Sequence, residues 1–372
     1  MVFLGRGTDV FVIGGGPAGL AAGIAARRKG LSVTVADGAE PPIDKACGEG
    51  MMPETQAALR ELGVELPAGA GYRIRGIRFA QNDTQVAAPF PEEQGIGVRR
   101  TLLHELLIRE AERCGVKLLW KTPVAGIGPA GVRLPYGTAP ARWIVGADGG
   151  HSRVRRWSEL NPSVAGSHRM ATRRHYRLPP WTEFMEIHWG PRVQAYVTPI
   201  SKEEVCIVVM GETAEDADFE RLLKAMPELR ERLRGAELCS RERGASTAMH
   251  TLARVWRGNV ALVGDASGGV DAITGEGLRL AFRQAFALAG AIERGDLREY
   301  ELVHRQLARR PLWMGRLLLW LGRNDGIRQR ALRIMSRNPE LFARMLAIHA
   351  GRATTGAVVL TGAQIGWQLL AS

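Results

Sequence analysis

The chain has 372 residues, is 45% hydrophobic and carries a formal net charge of +12. That length buries a large core and fits one nucleotide-binding domain with a smaller domain packed against it. Its four cysteines (Cys47, Cys114, Cys206, Cys239) contain no CxxC pair, which gives no metal site and no disulfide framework and fits a reducing, cytoplasmic setting.

Val10-Phe11-Val12-Ile13 predicts a strand over 9–13, and because it runs straight into Gly14 it does not read as a secretory leader. A helix is expected over 17–29, where Ala18, Ala21, Ala22, Gly23, Ala25 and Ala26 form a small face that can sit close to a sheet. A second strand over 31–36 ends at Asp37 and completes a βαβ unit. The Pro- and Gly-rich stretch 38–53 reads as irregular, and 54–63 as a helix. From 72 to 94 the period changes to alternation (Tyr72, Ile74, Ile77, Phe79), which predicts antiparallel strands. A helix over 100–114 follows, then strands over 116–120 and 142–147, further strands within 172–210 and a helical stretch over 214–234. A strand over 259–263, a long helix over 277–293 and a helical region over 298–350 complete the pattern. The fold class is α/β: a discontinuous Rossmann-like cofactor domain (1–70, 95–165 and 250–296), an inserted mixed or antiparallel substrate domain (71–94 and 166–249), and basic C-terminal helices (297–372).

Gly14-x-Gly16-x-x-Gly19 lies between a strand and a helix, with an acid, Asp37, at the end of the next strand. In that context Gly14 makes a tight turn, Gly16 lets backbone approach a pyrophosphate, Gly19 lets helix and strand pack, and Asp37 accepts from a ribose hydroxyl. The motif alone does not separate NAD from FAD. A second cluster, Gly264-Asp265-Ala266, follows the apolar run Val260-Ala261-Leu262-Val263 and leads into Asp271-Ala272-Ile273-Thr274-Gly275-Glu276-Gly277. Two such loops suit a long cofactor gripped at both ends.

Three further segments carry a resemblance. Arg100-x-x-Leu103-x-x-x-Leu107, Gly146-Ala147-Asp148-Gly149-x-x-Ser152-x-Val154-Arg155 and Gly264-Asp265-Ala266 occur in this order. The chain resembles the FAD-dependent para-hydroxybenzoate hydroxylase superfamily over most of residues 9–295, in the branch of geranylgeranyl reductases, flavin monooxygenases and halogenases. The resemblance implies FAD. It implies that Arg100, with Arg99 as the competing assignment, reaches the phosphate and ribityl region, that Asp148 supports the cofactor and that Asp265 holds the ribitol. Gly275 and Gly277 would border the flavin ring. Ala272 departs from the proline usual in that stretch and implies a looser loop. Lys45-Ala46-Cys47-Gly48-Glu49-Gly50 resembles the segment that runs past the ring; Cys47 either touches the flavin or is an inert thiol, and Glu49 is either an acid or base there or a charge that orders the loop.

The resemblance leaves two reactions. The first is a monooxygenase that transfers oxygen from a flavin hydroperoxide to an aromatic or polyketide-like substrate, which the segment Cys47 to Pro53 and the strand Gln194 to Pro199 favour. The second is a reductase of prenyl-chain double bonds, favoured by Ile273 to Gly277. A non-catalytic flavin-binding, membrane-associated partner is a third reading. With one full dinucleotide fingerprint, NAD(P)H or a reduced protein carrier would donate electrons transiently. The halogenase signature Trp-x-Trp-x-Ile-Pro is absent. Trp181, Phe184, Trp189 and Tyr196 are candidates for an aromatic substrate wall, with His175 and His188 as candidate partners of a phenolic oxygen.

Between Arg298 and Arg352 there are 12 arginines against four acids. No nucleic-acid motif accompanies this charge, so nucleic acid is not an expected partner. Leu312, Trp313, Leu317, Leu318, Trp320 and Leu321 among these arginines suggest either a lid over the substrate mouth or peripheral membrane contact. The uncharged stretch 353–372 is long enough to span a membrane but too polar to favour it.

Overall fold

The computed structural model describes residues 7–354, 356, 357, 360–364 and 366, with backbone alone at 162–167. Half of the uncharged stretch 353–372 therefore lies outside the described residues.

One unit is organised by a six-stranded sheet in the order Trp256–Arg257, Val260–Leu262, Ala141–Gly146, Thr8–Ile13, Val33–Ala36, Lys117–Leu119. All neighbours are parallel except the Trp256–Arg257 edge. Strands of a parallel sheet are covered on both faces, which is why Val10, Phe11 and Val12 are all buried. The helix Pro17–Arg28 starts with proline at its first position, where the ring fixes φ and no N–H is wasted. It ends at Lys29 and Gly30, the latter with φ 79°. Leu20, Ile24 and the small residues between them pack against the helix Gly277–Arg294, which buries Leu280, Phe282, Ala285, Leu288 and Ile292. Truncating the fully buried Phe282 to alanine would cost about 3–5 kcal/mol.

The second unit is a large mixed sheet. Its order is Glu237–Leu238, Pro162–Arg177, Glu204–Gly211, Val193–Ser201, Phe184–Trp189, Gly76–Gln81, Thr84–Pro89, and Arg243–Leu252 also pairs with Pro162–Arg177. Both faces are covered, and side-chain parity assigns residues to them. Ile187, Trp189, Tyr196, Val208 and Met210 pack beneath three C-terminal helices, Leu297–Arg323, Asp325–Arg337 and Pro339–Ala350. Val193, Ala195, Val197, Ile207 and Val209 pack beneath the short helices Phe219–Ala225 and Pro227–Arg232.

The expected helix over 214–234 is thus two helices broken at Met226–Pro227, and the helical region over 298–350 is three helices punctuated by Asn324 and Asn338. Two small three-stranded sheets complete the fold: Gly126–Gly128, Gly131–Leu134 and Gly137–Ala139, then Gly50–Met51, Gly95–Gly97 and Tyr72–Ile74. Among the described residues no helix is long and apolar enough to cross a membrane.

Candidate active site

The first glycine loop sits at the C-terminal end of the strand Thr8–Ile13. Gly14 has φ 112°, and a Cβ there would strike the Ala147 carbonyl of the neighbouring strand's end. A Cβ on Gly19 would collide with the Gly14 carbonyl. Gly16 is different: a Cβ there meets nothing within 4 Å. It is the N-cap of Pro17–Arg28 and has no side chain to fill the first turn, so that turn's N–H groups and positive dipole end are free for an anion. Asp37 accepts from Gly15 N–H at 2.7 Å and Ala39 N–H at 2.8 Å, and stays half-buried.

His104 braces this loop from below. The Ile43 N–H donates to its Nδ1 at 3.1 Å, so the ring proton sits on Nε2 and is donated to the Gly15 carbonyl at 2.7 Å. Burial holds its pKa below the ordinary histidine value.

The second loop faces the first. Gly264, with φ 62°, donates its N–H to Gln284 Oε1 at 2.8 Å, and a Cβ there would press on Ala18. The two glycine loops therefore touch across the cleft. Asp265 is exposed yet crowded by protein, and among the described residues its carboxylate has no hydrogen-bond partner. The protein crowded around it displaces water and raises its pKa, against the nearby positive charges of Arg100 and Lys45. Behind the loop, Ser267 donates to the Gly264 carbonyl at 2.8 Å and meets His304 Nε2 at 2.8 Å, while Tyr300 donates to the Leu262 carbonyl at 2.6 Å.

Asp148 has a structural task. Its Oδ2 accepts from Arg153 and Val154 N–H at 2.7 and 3.1 Å, capping the helix Arg153–Trp157, while Oδ1 is buried without a partner. Arg155 then ties Gly150 O, Ala266 O and His250 together at 2.6, 3.2 and 3.2 Å.

The Arg99–Arg100 pair divides its work. Arg99 is turned to Glu204 and His175. Arg100 opens the helix Arg100–Arg113, and its Nε is buried with no acceptor. Glu49, with φ 58°, accepts from Arg100 N–H at 3.0 Å and from Arg173 at 3.3 Å on Oε1, and from His175 Nε2 at 2.7 Å on Oε2. Arg173 also makes a bidentate pair with Asp44 at 2.9 and 3.0 Å. Glu49 and His175 are thus brought together, but 4% and 0% exposed and bound to each other. This arrangement orders the Cys47–Gly50 loop and leaves neither residue free toward the cleft. Glu49, His175 and Cys206 come within metal-ligand reach, yet hydrogen bonds from Arg173 and Arg100 already fill the carboxylate, and burial pushes the Cys206 thiol far up. The half-buried Cys47 accepts from Glu49 N–H at 3.4 Å through Sγ.

The loop Asp271–Gly277 is pinned rather than loose. Asp271 Oδ1 accepts from Ile273 N–H at 3.0 Å and Arg169 at 2.9 Å, Thr274 Oγ1 donates to Asp271 O at 2.8 Å, and Gly275 closes the turn with φ 65°. Alanine at 272 therefore does not free the loop. Arg169 continues to Gln194 at 2.6 Å, which also accepts from Tyr196 at 2.9 Å. From the C-terminal side, His349 Nε2 donates to Thr274 O at 2.8 Å, and its Nδ1 is buried without a partner.

The aromatic wall is divided by strand parity. Trp189 and Tyr196 face this loop's side of the sheet, whereas Trp181 packs with the opposite core and Phe184 lies under Arg75 and Arg78. His188 is one residue out of phase with Trp189 and points to the other face, where Glu186 takes its Nε2 at 2.9 Å. It is not brought to the cleft. A surface depression lined by Tyr72, Arg78, Trp181 and Phe184 contains none of the glycine-loop residues.

The residues fit a dinucleotide whose two halves span the loops. Glycines 16, 48, 149 and 277 all present open space where a Cβ would stand, and Arg100 Nε and the Asp265 carboxylate wait for partners. Residues 7–294 match the family model of the FAD binding domain. The chain belongs to the FAD-binding domain family.

This FAD-binding protein is 29% identical over 350 residues to a menaquinone reductase of Mycobacterium tuberculosis, covering 87% of this chain and 82% of that one. It is 26% identical over 321 residues to digeranylgeranylglycerophospholipid reductase 3 of Methanosphaera stadtmanae, covering 79% and 80%. A flavoprotein/dehydrogenase from Cytophaga hutchinsonii shares the fold with a TM-score of 0.80 at 19% identity, covering 93% of each chain. The protein is an FAD-dependent oxidoreductase. When bound, FAD supplies two-electron redox chemistry at its ring. Gly16 and the helix behind it would hold the pyrophosphate, Arg100 and Asp265 the phosphate and ribityl region, and Asp271–Gly277 the edge of the ring.

Proposed function

We propose that the protein is an FAD-dependent reductase of carbon–carbon double bonds in the prenyl chain of a lipid. The observation that carries this reading is the apolar cover over the ring-side loop. Met52, Ile273, Met314 and Leu318 belong to one buried cluster with Trp189 and Tyr196, roofed by the C-terminal helices. Such an apolar cover, parted to admit a substrate, would suit a long hydrocarbon and keep water from the reacting bond. The buried arginines on this side are paired, Arg169 with Asp271 and Arg173 with Glu49, and Asp271 Oδ2 is left without a partner among the described residues. The two reductases similar to this chain over most of its length are named for prenyl-bearing lipids, which supports the same substrate class. NAD(P)H or a reduced protein carrier is the proposed donor.

Oxygen transfer to an aromatic substrate is the second reading, favoured by His349, which reaches Thr274 O through Nε2 and leaves its Nδ1 without a partner. The test is anaerobic turnover of reduced holoprotein with a polyprenyl lipid, read by mass spectrometry. Gain of two hydrogens without oxygen supports the reductase. Gain of one oxygen atom, only in air and only with an aromatic substrate, replaces it with the monooxygenase. Stoichiometric FAD with turnover of neither substrate class assigns a non-catalytic role.

A further inference from the structure

The helix Leu297–Arg323 has one face that the cofactor site uses and one that it does not. His304, Pro311, Met314, Gly315 and Leu318 are buried, and Gly315 sits against Thr274 and Asp271 of the ring-side loop. On the opposite side Leu302, Arg309, Trp313, Arg316, Trp320 and Arg323 are all exposed, and their spacing puts them on one stripe. Leu302, Trp313 and Trp320 are 62%, 50% and 49% exposed. Trp313 and Trp320 are two helical turns apart, about 10 Å along the axis, on the same line.

The charge on this stripe has one sign. From Leu302 to Arg323 there are five arginines and no acidic residue. Arg309 and Arg316 have no hydrogen bond or ion pair among the described residues. Arginine's planar fork pairs with phosphate, and tryptophan favours the headgroup layer of a bilayer. Together they form the amphipathic pattern of a helix that lies in a membrane surface.

We propose that this face rests on an anionic lipid bilayer, with the helix axis in the membrane plane. Trp313 and Trp320 enter the headgroup layer, and Arg309 and Arg316 contact lipid phosphates, while Arg323 is held by Glu212 at 3.0 Å. Along the helix the stripe carries a single sign of charge, which matches a phosphate-rich plane. The ring-side loop then lies one helix diameter, ~10 Å, from the bilayer. This assignment stands on the helix alone and does not depend on the substrate proposed above.

Flotation of the full-length holoprotein tests it, with vesicles of phosphatidylcholine alone or mixed with phosphatidylglycerol. The protein is expected to float with the anionic vesicles at low salt, to be released at high salt and to stay down with neutral ones. R309E/R316E is expected to lower partitioning at least about tenfold. W313S/W320S is expected to reduce flotation and to abolish the blue shift of tryptophan emission on vesicle addition. Flavin content and thermal melting, read in parallel, establish that each variant is folded. Wild-type protein that stays down with anionic vesicles, or variants that both float as well as wild type, overturns the proposal. A solution dimer that either variant converts to monomer, without vesicle binding, assigns the face to a second copy and also overturns it.

Discussion

The His304 ring meets the Ser267 hydroxyl at 2.8 Å, while that hydroxyl donates to the Gly264 carbonyl. A side chain of the C-terminal helix thus holds the loop that carries Asp265. The Ser267 proton is directed at Gly264, so His304 serves as the Nε2–H donor in its neutral form.

Burial, aided by the positive charge of Arg305, pushes the His304 pKa from its ordinary 6.5 down to about 4. The unfolded chain therefore binds the proton first as pH falls. Stability from this group is fully present above pH 6.5, declines as pH falls toward 4, and is gone below that. The full loss is about 3 kcal/mol. Thermal melts across this window are expected to show the decline in wild type and a flatter profile in His304→Gln.

The two glycines of the first loop are expected to fail differently. Gly16→Val places its side chain in open space, so the protein should fold and melt near wild type but lose its yellow colour. Gly19→Val meets the Gly14 carbonyl and should lower the melting temperature or abolish soluble expression. Absorbance at the flavin band and circular dichroism separate the two outcomes.

Glu49 holds a left-handed backbone, a strain of roughly 1 kcal/mol, because its carboxylate is gripped by Arg100 N–H, Arg173 and His175. Removing one partner of a buried ionic cluster costs about 3–5 kcal/mol. Glu49→Ala is therefore expected to destabilise strongly. Glu49→Gln should lose less, since an amide oxygen still accepts from Arg100 N–H. A fall in kcat with unchanged denaturation midpoints would instead make Glu49 an acid or base.

Ala272 opens its short turn after Asp271, whose φ of −64° and ψ of 140° suit a residue before proline. No hydrogen bond from the Ala272 N–H is present among the described residues, so proline removes nothing. Ala272→Pro is expected to stabilise by about 0.4–1 kcal/mol through the unfolded chain. Chemical denaturation measures this directly, and destabilisation would mean that the turn needs a different φ.

Much of the cofactor cradle is legible in the sequence because it is local. Gly16 and Gly264 announce themselves through a strand before and a helix or turn after, within a few residues. The braces are not legible: His104, Arg169, His304 and His349 reach the loops from 37 to 102 residues away, and none lies in a repeating pattern. Arg243–Leu252 gives no alternation because its composition is mixed and polar, and the strands between Gly126 and Ala139 are too short to show a period. His188 misleads for a different reason. Its strand buries Ile187 and Trp189 on one face and Glu186 on the other, so alternation does not reveal which face meets the cofactor.

The family match ends at residue 294, just before Leu297 begins the next helix. Cutting there would strip the Leu262 carbonyl of Tyr300 and the Ser267 hydroxyl of His304, exposing the back of the loop that carries Asp265. The recognisable domain is therefore not a portable module. Anyone wishing to graft or shorten this flavoprotein must carry the helix beyond the boundary that homology draws.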